Sequence, residues 1–158
     1  MSSIKLNSAA YRRALGAFAT GVAVVTTVDQ DGEKAGITVN SFTSVSLEPP
    51  LVLWSVDNNA LSYWAFVKAE HFAVNVLAVH QRDVCARFAQ RGGDKFTGLD
   101  CDEGLAGVPI LPEYSAVFEC RTESVHDGGD HKIIIGRVLK YDDRKSDPLI
   151  FYRGHFLT

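Results

Sequence analysis

Residues 36–50 read Gly36-Ile37-Thr38-Val39-Asn40-Ser41-Phe42-Thr43-Ser44-Val45-Ser46-Leu47-Glu48-Pro49-Pro50. An apolar run enters this segment, and a second one, Leu51-Val52-Leu53-Trp54-Ser55-Val56, follows the double proline. Between them Thr38, Asn40, Ser41, Thr43, Ser44 and Ser46 place six short hydrogen-bonding side chains within nine residues. None is charged and none is long, so the backbone here can approach a planar, polar-edged ligand and bond its edges. The commoner use of such a cluster is a solvated strand–loop in a β-protein.

Reading outward, Glu33–Val39 pairs as a hairpin with the β-branched run Val22–Val28 across the turn Asp29-Gln30-Asp31-Gly32. Upstream, Asn7-Ser8 can cap a helix whose apolar face is Tyr11, Ala14, Leu15 and Phe18, with Gly21 as its stop. Downstream, Asp57-Asn58-Asn59 opens a helix reaching about Lys68, His71–Ala78 is a strand, and His80–Ala89 is a helix with Val84, Arg87 and Phe88 on one face. Residues 94–113 are irregular. Tyr114–Val125 alternates Tyr114, Ala116, Phe118 and Cys120 on one face, and Asp127-Gly128-Gly129-Asp130 turns it into His131–Leu139. Pro148–Tyr152 is a last short strand. Strands joined mostly by hairpin-scale turns predict a mainly β, antiparallel sheet closed into a barrel, as one domain over residues 1–158. Strands do not alternate regularly with helices, which argues against a doubly wound α/β fold.

The chain is 46% hydrophobic and 22% charged with a formal net charge of -3, an ordinary globular balance with the signs intermixed. No Lys/Arg block marks a nucleic-acid or anionic-membrane surface, and no apolar run has the length of a membrane span. Met1–Leu6 lacks the apolar stretch of a secretory signal. The three cysteines, Cys85, Cys101 and Cys120, form no C-x-x-C, which predicts reduced thiols in a cytoplasmic protein.

No G-x-G-x-x-G follows a strand and no P-loop motif occurs, so a nucleotide here must be held by something other than a glycine-rich loop. A phosphate could rest where Ser55-Val56-Asp57-Asn58-Asn59-Ala60-Leu61-Ser62 runs from strand to helix, although capping by Asp57 or Asn58 is the commoner role. His126, Asp127, Asp130 and His131 match no defined metal spacing, and no metal is expected. No Ser or Cys carries a local activating motif, and Cys85 and Cys120 read as core thiols. No catalytic side chain is singled out. Binding groups without acid–base machinery suit an enzyme whose cofactor carries the chemistry.

Across Tyr11–Phe156 the chain resembles the short-chain flavin reductases, the reductase components of two-component monooxygenases. The resemblance lies in an ordered series: Thr20–Thr27, Gly36–Phe42, Ser44–Leu53, Phe72–Leu77 with Gln81 and Phe88, Lys95-Phe96, Gly107-Val108-Pro109, Gly129-Asp130-His131, Gly136-Arg137-Val138, Pro148-Leu149 and Tyr152-Arg153-Gly154. It implies an FMN-binding split β-barrel, Greek-key-like, with a few short helices, and NADH- or NADPH-driven reduction of FMN or FAD. It also implies a homodimer that supplies reduced flavin to an oxygenase. Flavin contacts are implied at Thr38, Val39, Asn40, Ser41 and Ser44, at Ser55 and Ser62 near the phosphates, and at Asn75, Val76, Leu77 and Gln81. His131, Tyr152, Arg153 and Gly154 are implied for the nicotinamide nucleotide. Trp54 and Trp64 stand where smaller or aliphatic residues are expected, and with Phe66 they are candidates to cover a subunit contact. A pyridoxamine-phosphate-oxidase-like enzyme would need a basic phosphate cluster that the sequence does not display. A non-catalytic flavin- or haem-binding module would bind its cofactor without oxidising NADH.

Overall fold

The computed structural model describes residues 5–157; residues 1–4, which carry most of the segment read as lacking a secretory signal, lie outside it. In chain order the elements are α1 (Ser8–Leu15), β1 (Thr20–Gly21), β2 (Ala23–Val28), β3 (Lys34–Val39), β4 (Thr43–Ser46), β5 (Leu51–Asp57), α2 (Tyr63–Val67), β6 (His71–Val76) and α3 (Arg82–Ala89). There follow β7 (Asp102–Glu103), a 3-10 turn at Leu105–Gly107, β8 (Pro109–Ile110), β9 (Ala116–Gly128), β10 (His131–Asp143), β11 (Ile150–Tyr152) and β12 (His155–Leu157).

Seven strands form one sheet in the order β3-β2-β6-β9-β10-β5-β4, and all its pairings are antiparallel. Its two outer strands are consecutive in sequence. Laid flat, seven strands would hold β3 and β4 about 29 Å apart, whereas the chain from Val39 to Thr43 reaches about 14 Å fully extended. The sheet therefore has to roll until its edges meet. Among the described residues no ladder joins β3 to β4, so the barrel is split along that seam. The pairings of β2 with β6, β6 with β9 and β10 with β5 join strands distant in sequence, which gives the Greek-key-like order.

The link that closes the roll is pinned. Ser41 Oγ accepts the Ser55 N–H at 2.9 Å and donates to the Ser55 carbonyl at 3.3 Å, and Phe42 stacks on Phe118 with ring centroids 5.6 Å apart. Inside the roll, Val25, Val52, Val56, Val74, Cys120 and Ile134 pack around Trp54. The Trp54 ring meets Phe66 and Phe72 edge-on, at centroid distances of 4.9 and 6.0 Å. Trp54 and Phe66 are thus core residues rather than subunit cover. Strand parity is the reason for Trp54: Val52, Trp54 and Val56 point inward while Leu53, Ser55 and Asp57 do not. Of the three candidates only Trp64 is exposed.

Several boundaries differ from the sequence reading. Helix α1, capped by Asn7 Oδ1 on the Ala10 N–H at 3.0 Å, ends at Gly16, and Gly21 instead pairs with Ile150 in a small sheet of β1, β11 and β12. Asp57 starts no helix: its Oδ1 accepts the Asn59 N–H at 2.7 Å, and this local turn delays α2 to Tyr63. Tyr114 precedes β9, and β9 and β10 run further than the alternation indicated because register shifts after Ile135 and Val138 let the long hairpin bend with the barrel.

Ser41→Ala removes both bonds to Ser55 from the closing link. Loss of about 1–3 kcal/mol of stability is expected, read as a lowered urea midpoint with an unchanged m-value; an unaltered midpoint would show that the link closes without it.

Candidate active site

One cleft lies along strand β3 and a second lies just past its end. The first, of about 770 Å³, lies between β3, the segment leading from Asp57 into α2, and the chain from Phe88 to Phe96. The second, of about 930 Å³, lies between α1 and the β11–β12 hairpin, with Phe18, Thr20 and Asn40 in its wall. Both volumes fall within the ~300–1,000 Å³ usual for ligand sites.

Each cleft has a local origin. At Gly36 a Cβ would stand 2.6 Å from Phe88 Cε1 and 3.2 Å from Phe96 Cζ, so only glycine lets these rings press directly on the strand. The rings meet each other edge-on at 5.1 Å and form an apolar wall of the first cleft. In the second, Arg153 and Gly154 have φ of 47° and 81°, the two left-handed residues of a tight hairpin turn. That turn carries the Arg153 N–H to the Gly16 carbonyl at 3.1 Å and Arg153 Nε to the Tyr152 hydroxyl at 3.0 Å, holding the end of α1 against the hairpin.

The structure divides the expected residues. Thr38 and Ser62 meet in the first cleft, and the Thr38 hydroxyl donates to the Cys85 carbonyl at 2.7 Å, leaving its lone pairs available. Asn40, Arg153 and Gly154 meet in the second. Ser44 is exposed on β4, Val39 packs against the core, Ser55 lies on the outer face of β5, and the Ser41 hydroxyl is engaged with Ser55.

Asn75, Leu77 and Gln81 lie inside the protein, 0%, 0% and 3% exposed. Asn75 Nδ2 donates to the Val24 carbonyl at 3.0 Å and to Thr26 Oγ1 at 3.1 Å, while its Oδ1 accepts the Leu111 N–H at 3.0 Å. Gln81 Oε1 accepts the Ala78 N–H at 2.8 Å and its Nε2 donates to the Glu113 carbonyl at 2.9 Å. The Asn75 and Gln81 side chains serve as framework: their polar atoms satisfy buried backbone groups. Val76, half-buried, pairs with Ala23 and Ala116.

His131 opens β10 beside Asp130, Nδ1 to Oδ1 at 2.7 Å, and stands opposite Asp57 in register. This pairing holds the Asp130 carboxyl below its ordinary range. Asn58 donates its N–H to the Asp130 carbonyl at 3.0 Å and its Nδ2 to the Gly129 carbonyl at 3.2 Å, tying the histidine turn to the segment that borders the first cleft. Arg153 and Gly154 line the second cleft and Tyr152 adjoins them, while His131 lines neither cleft.

Sequence reading missed Lys34, Arg91 and Lys95 in the first cleft and Arg12, Arg13, Phe18 and Thr20 in the second. Only Lys95, in the Lys95-Phe96 pair, and Thr20 lay within a quoted motif. Thr20 Oγ1 is buried and finds no hydrogen-bond partner among the described residues, although it lines the second cleft. A buried hydroxyl without a partner is costly, and a polar ligand would satisfy it.

The thiols are chemically quiet. Burial, with the Glu119 carboxylate beside it, pushes Cys120 up to about 12, and burial also raises Cys85 and Cys101. A thiolate nucleophile at neutral pH is not on offer. Among the described residues no group of three or more His, Cys, Asp or Glu could hold a metal ion, and no helix is long and apolar enough to cross a membrane.

A split antiparallel barrel with one ligand-sized cleft along an open strand edge, a second just past the end of that strand, and no activated thiol among the described residues suits a protein that binds ligands bringing their own chemistry. The chain belongs to the flavin reductase family: the flavin reductase like domain matches residues 15–158. It is 50% identical over 150 residues to the FMN reductase (NADH) SmoA of Agrobacterium fabrum, covering 95% of this chain and 85% of that protein. It is 46% identical to the reductase subunit HsaB of a flavin-dependent monooxygenase of Rhodococcus jostii, covering 92% of this chain and 75% of that one. The fold superposes with a TM-score of 0.91 on the NADH:FAD oxidoreductase SgcE6 of Streptomyces globisporus, solved with NAD and FAD fragments, at 34% identity over 99% of this chain and 96% of that one. Some relatives are longer; the chain spans 48% of one from Rhizobium meliloti.

Asn75→Ala should lower stability by about 2–4 kcal/mol, because buried groups lose their partners, while flavin affinity of the folded protein stays within about twofold. Chemical unfolding beside a flavin titration reads both; weakened flavin binding at unchanged stability would return Asn75 to the ligand.

Proposed function

We propose that this chain takes a hydride from NADH and passes it to FMN or FAD, and that the reduced flavin serves a partner oxygenase. The observation that carries this reading is the spacing of the two clefts. Thr38, near the end of β3, borders the first and Asn40, just past that end, borders the second, two residues apart in the chain and so about 7 Å when extended. Ligands seated in both would meet at the seam.

The residues present fit such ligands. The first cleft offers the lone pairs of Thr38, the Ser62 hydroxyl, an apolar wall and cations; the second offers the unpartnered Thr20 hydroxyl, Asn40 and Arg153. Flavin, when bound, supplies the hydride-accepting ring. The chain's part is to bind, orient and shield: holding reactants in contact can contribute roughly 7–11 kcal/mol to the barrier without any acid–base group. His131, with Nδ1 held by Asp130, keeps Nε2 for a carboxamide or ring edge and stands in register with Asp57, which borders the first cleft. NADH is favoured over NADPH by the name of SmoA.

We further propose a homodimer in the cytoplasm. No residue of α1 is buried, and its apolar face continues into Phe18, 78% exposed, so this side of the chain calls for cover. Light scattering that shows a fully active monomer at micromolar concentration would contradict it.

Purified protein should oxidise NADH only when FMN or FAD is present. Absence of flavin-dependent oxidation would leave the reading of a flavin- or haem-binding module. His131→Ala should cost roughly 5- to 30-fold in kcat/KM for NADH with flavin affinity little changed, as for one lost polar contact of ~1–2 kcal/mol. His126, whose Nε2 meets Ser124 Oγ on β9, is the control, and its alanine variant should be near neutral. Equal small effects at both positions would reduce His131 to a turn residue.

A further inference from the structure

The turn that carries His131 has two residues at its tip. Gly128 pairs with His131 across the hairpin of β9 and β10, which leaves Gly129 and Asp130 as the central pair. Gly129, with φ of 70°, takes the position that a type II′ turn reserves for glycine. The hairpin is held from within by the ion pair of Lys132 with Asp127 and by the bond of His131 Nδ1 with Asp130 Oδ1 at 2.7 Å. The carbonyls of Gly129 and Asp130 take no part in the β9–β10 ladder. Both are met by Asn58, which donates its N–H to the Asp130 carbonyl at 3.0 Å and its Nδ2 to the Gly129 carbonyl at 3.2 Å. The first bond continues the β5–β10 ladder one step past the pair of Asp57 with His131. The second is a side-chain bond, and it joins segments 71 residues apart in the chain.

Asn58 itself sits among residues committed to the first cleft, since Asp57, Asn59, Ala60, Leu61 and Ser62 all border it. That segment is fixed without help from the hairpin. Asp57 Oδ1 accepts the Asn59 N–H at 2.7 Å, and the Asp57 carbonyl accepts the Ala60 N–H at 3.0 Å. From the chain that follows α3, Arg91 donates to the Asn59 carbonyl at 3.0 Å. Among the described residues, Asn58 carries the one side-chain hydrogen bond that runs from this wall to the histidine turn.

We propose that Asn58 is a positioning residue for the hydride transfer: it holds His131 in place against the wall of the first cleft, so that a nicotinamide met by the imidazole lies against a flavin seated in that cleft. The proposal rests on reading His131 as a nicotinamide contact and deepens it. Bonds inside the hairpin fix His131 relative to Asp130, and a turn led by two glycines leaves the pair free to shift as a unit. Asn58 removes that freedom. A displacement of about 1 Å between reacting groups can cost roughly 100-fold in rate. Both turn carbonyls lie at the surface, where water replaces a lost partner, so removing the side chain changes position far more than stability.

NADH kinetics at saturating FMN are measured on the wild type, Asn58→Ala, Asn58→Asp, His131→Ala and the double variant of Asn58→Ala with His131→Ala, beside FMN titrations and thermal melts. Asn58→Ala should lower kcat/KM for NADH by roughly 3- to 10-fold, with FMN affinity within about twofold and the melting temperature within about 3 °C. Asn58→Asp, of the same shape but without the donor, should fall as far. Because Asn58 acts through His131, the double variant should be no worse than His131→Ala alone, within about twofold. Losses that multiply in the double variant, or wild-type kinetics in Asn58→Ala, would overturn the proposal. So would an FMN affinity that falls as far as kcat/KM, which would make Asn58 a support of the flavin wall. Wild-type kinetics in His131→Ala removes the reading of His131 and the proposal with it, whereas an impaired His131→Ala beside an unimpaired Asn58→Ala removes the proposal alone.

Discussion

Three residues, Asn40, Ser41 and Phe42, join strands that form the opposite edges of a seven-stranded sheet. No flat sheet is compatible with so short a connection, so the roll of the barrel is a matter of chain length before any side chain is considered. Ser41 and Phe42 then decide how the roll closes, one by bonding both backbone groups of Ser55 and the other by stacking on Phe118. Closure is not completed by hydrogen bonds between β3 and β4. The edge of β3 remains open, and the first cleft lies along it.

An open strand edge is ordinarily a liability, a template for pairing with another chain. Here each end of β3 is managed differently. At the Gly36 end, Phe88 and Phe96 press against the strand and Lys95 satisfies the Gly36 carbonyl. At the Asn40 end, α1 and the β11–β12 hairpin stand apart from the strand and leave a second cleft. The edge is thereby protected from aggregation while staying open to small ligands.

The chemistry follows from what the clefts contain. They offer cations, hydroxyls and aromatic walls, while Cys85 and Cys120 lie buried with raised pKa values. Such a protein accelerates a reaction by holding two ligands together. A transfer of a hydride between two bound ligands asks for no more than that, which is why a chain with no evident general base can still belong to a family of reductases.

Much of this was legible in the sequence. The period-two patterns, the turns at Asp29–Gly32 and Asp127–Asp130, and the crowd of small polar residues at Thr38–Ser46 follow from local preferences, and they led to a mainly β barrel. The ordered motifs led to the family. What local pattern could not disclose was destination. The family resemblance implied flavin contacts at Asn75 and Gln81, and the fold turns their side chains inward, where buried backbone groups need partners. Trp54 looked like surface cover until strand parity put it in the core. Thr38 and Asn40, near neighbours in sequence, belong to different clefts, while Lys95 reaches β3 from a segment 59 residues away. Composition and periodicity determine which elements form and which sides of them are apolar, because those depend on neighbours along the chain. Which polar groups meet a ligand and which meet the protein's own backbone is decided only when distant segments come together, since both partners compete for the same hydrogen bonds.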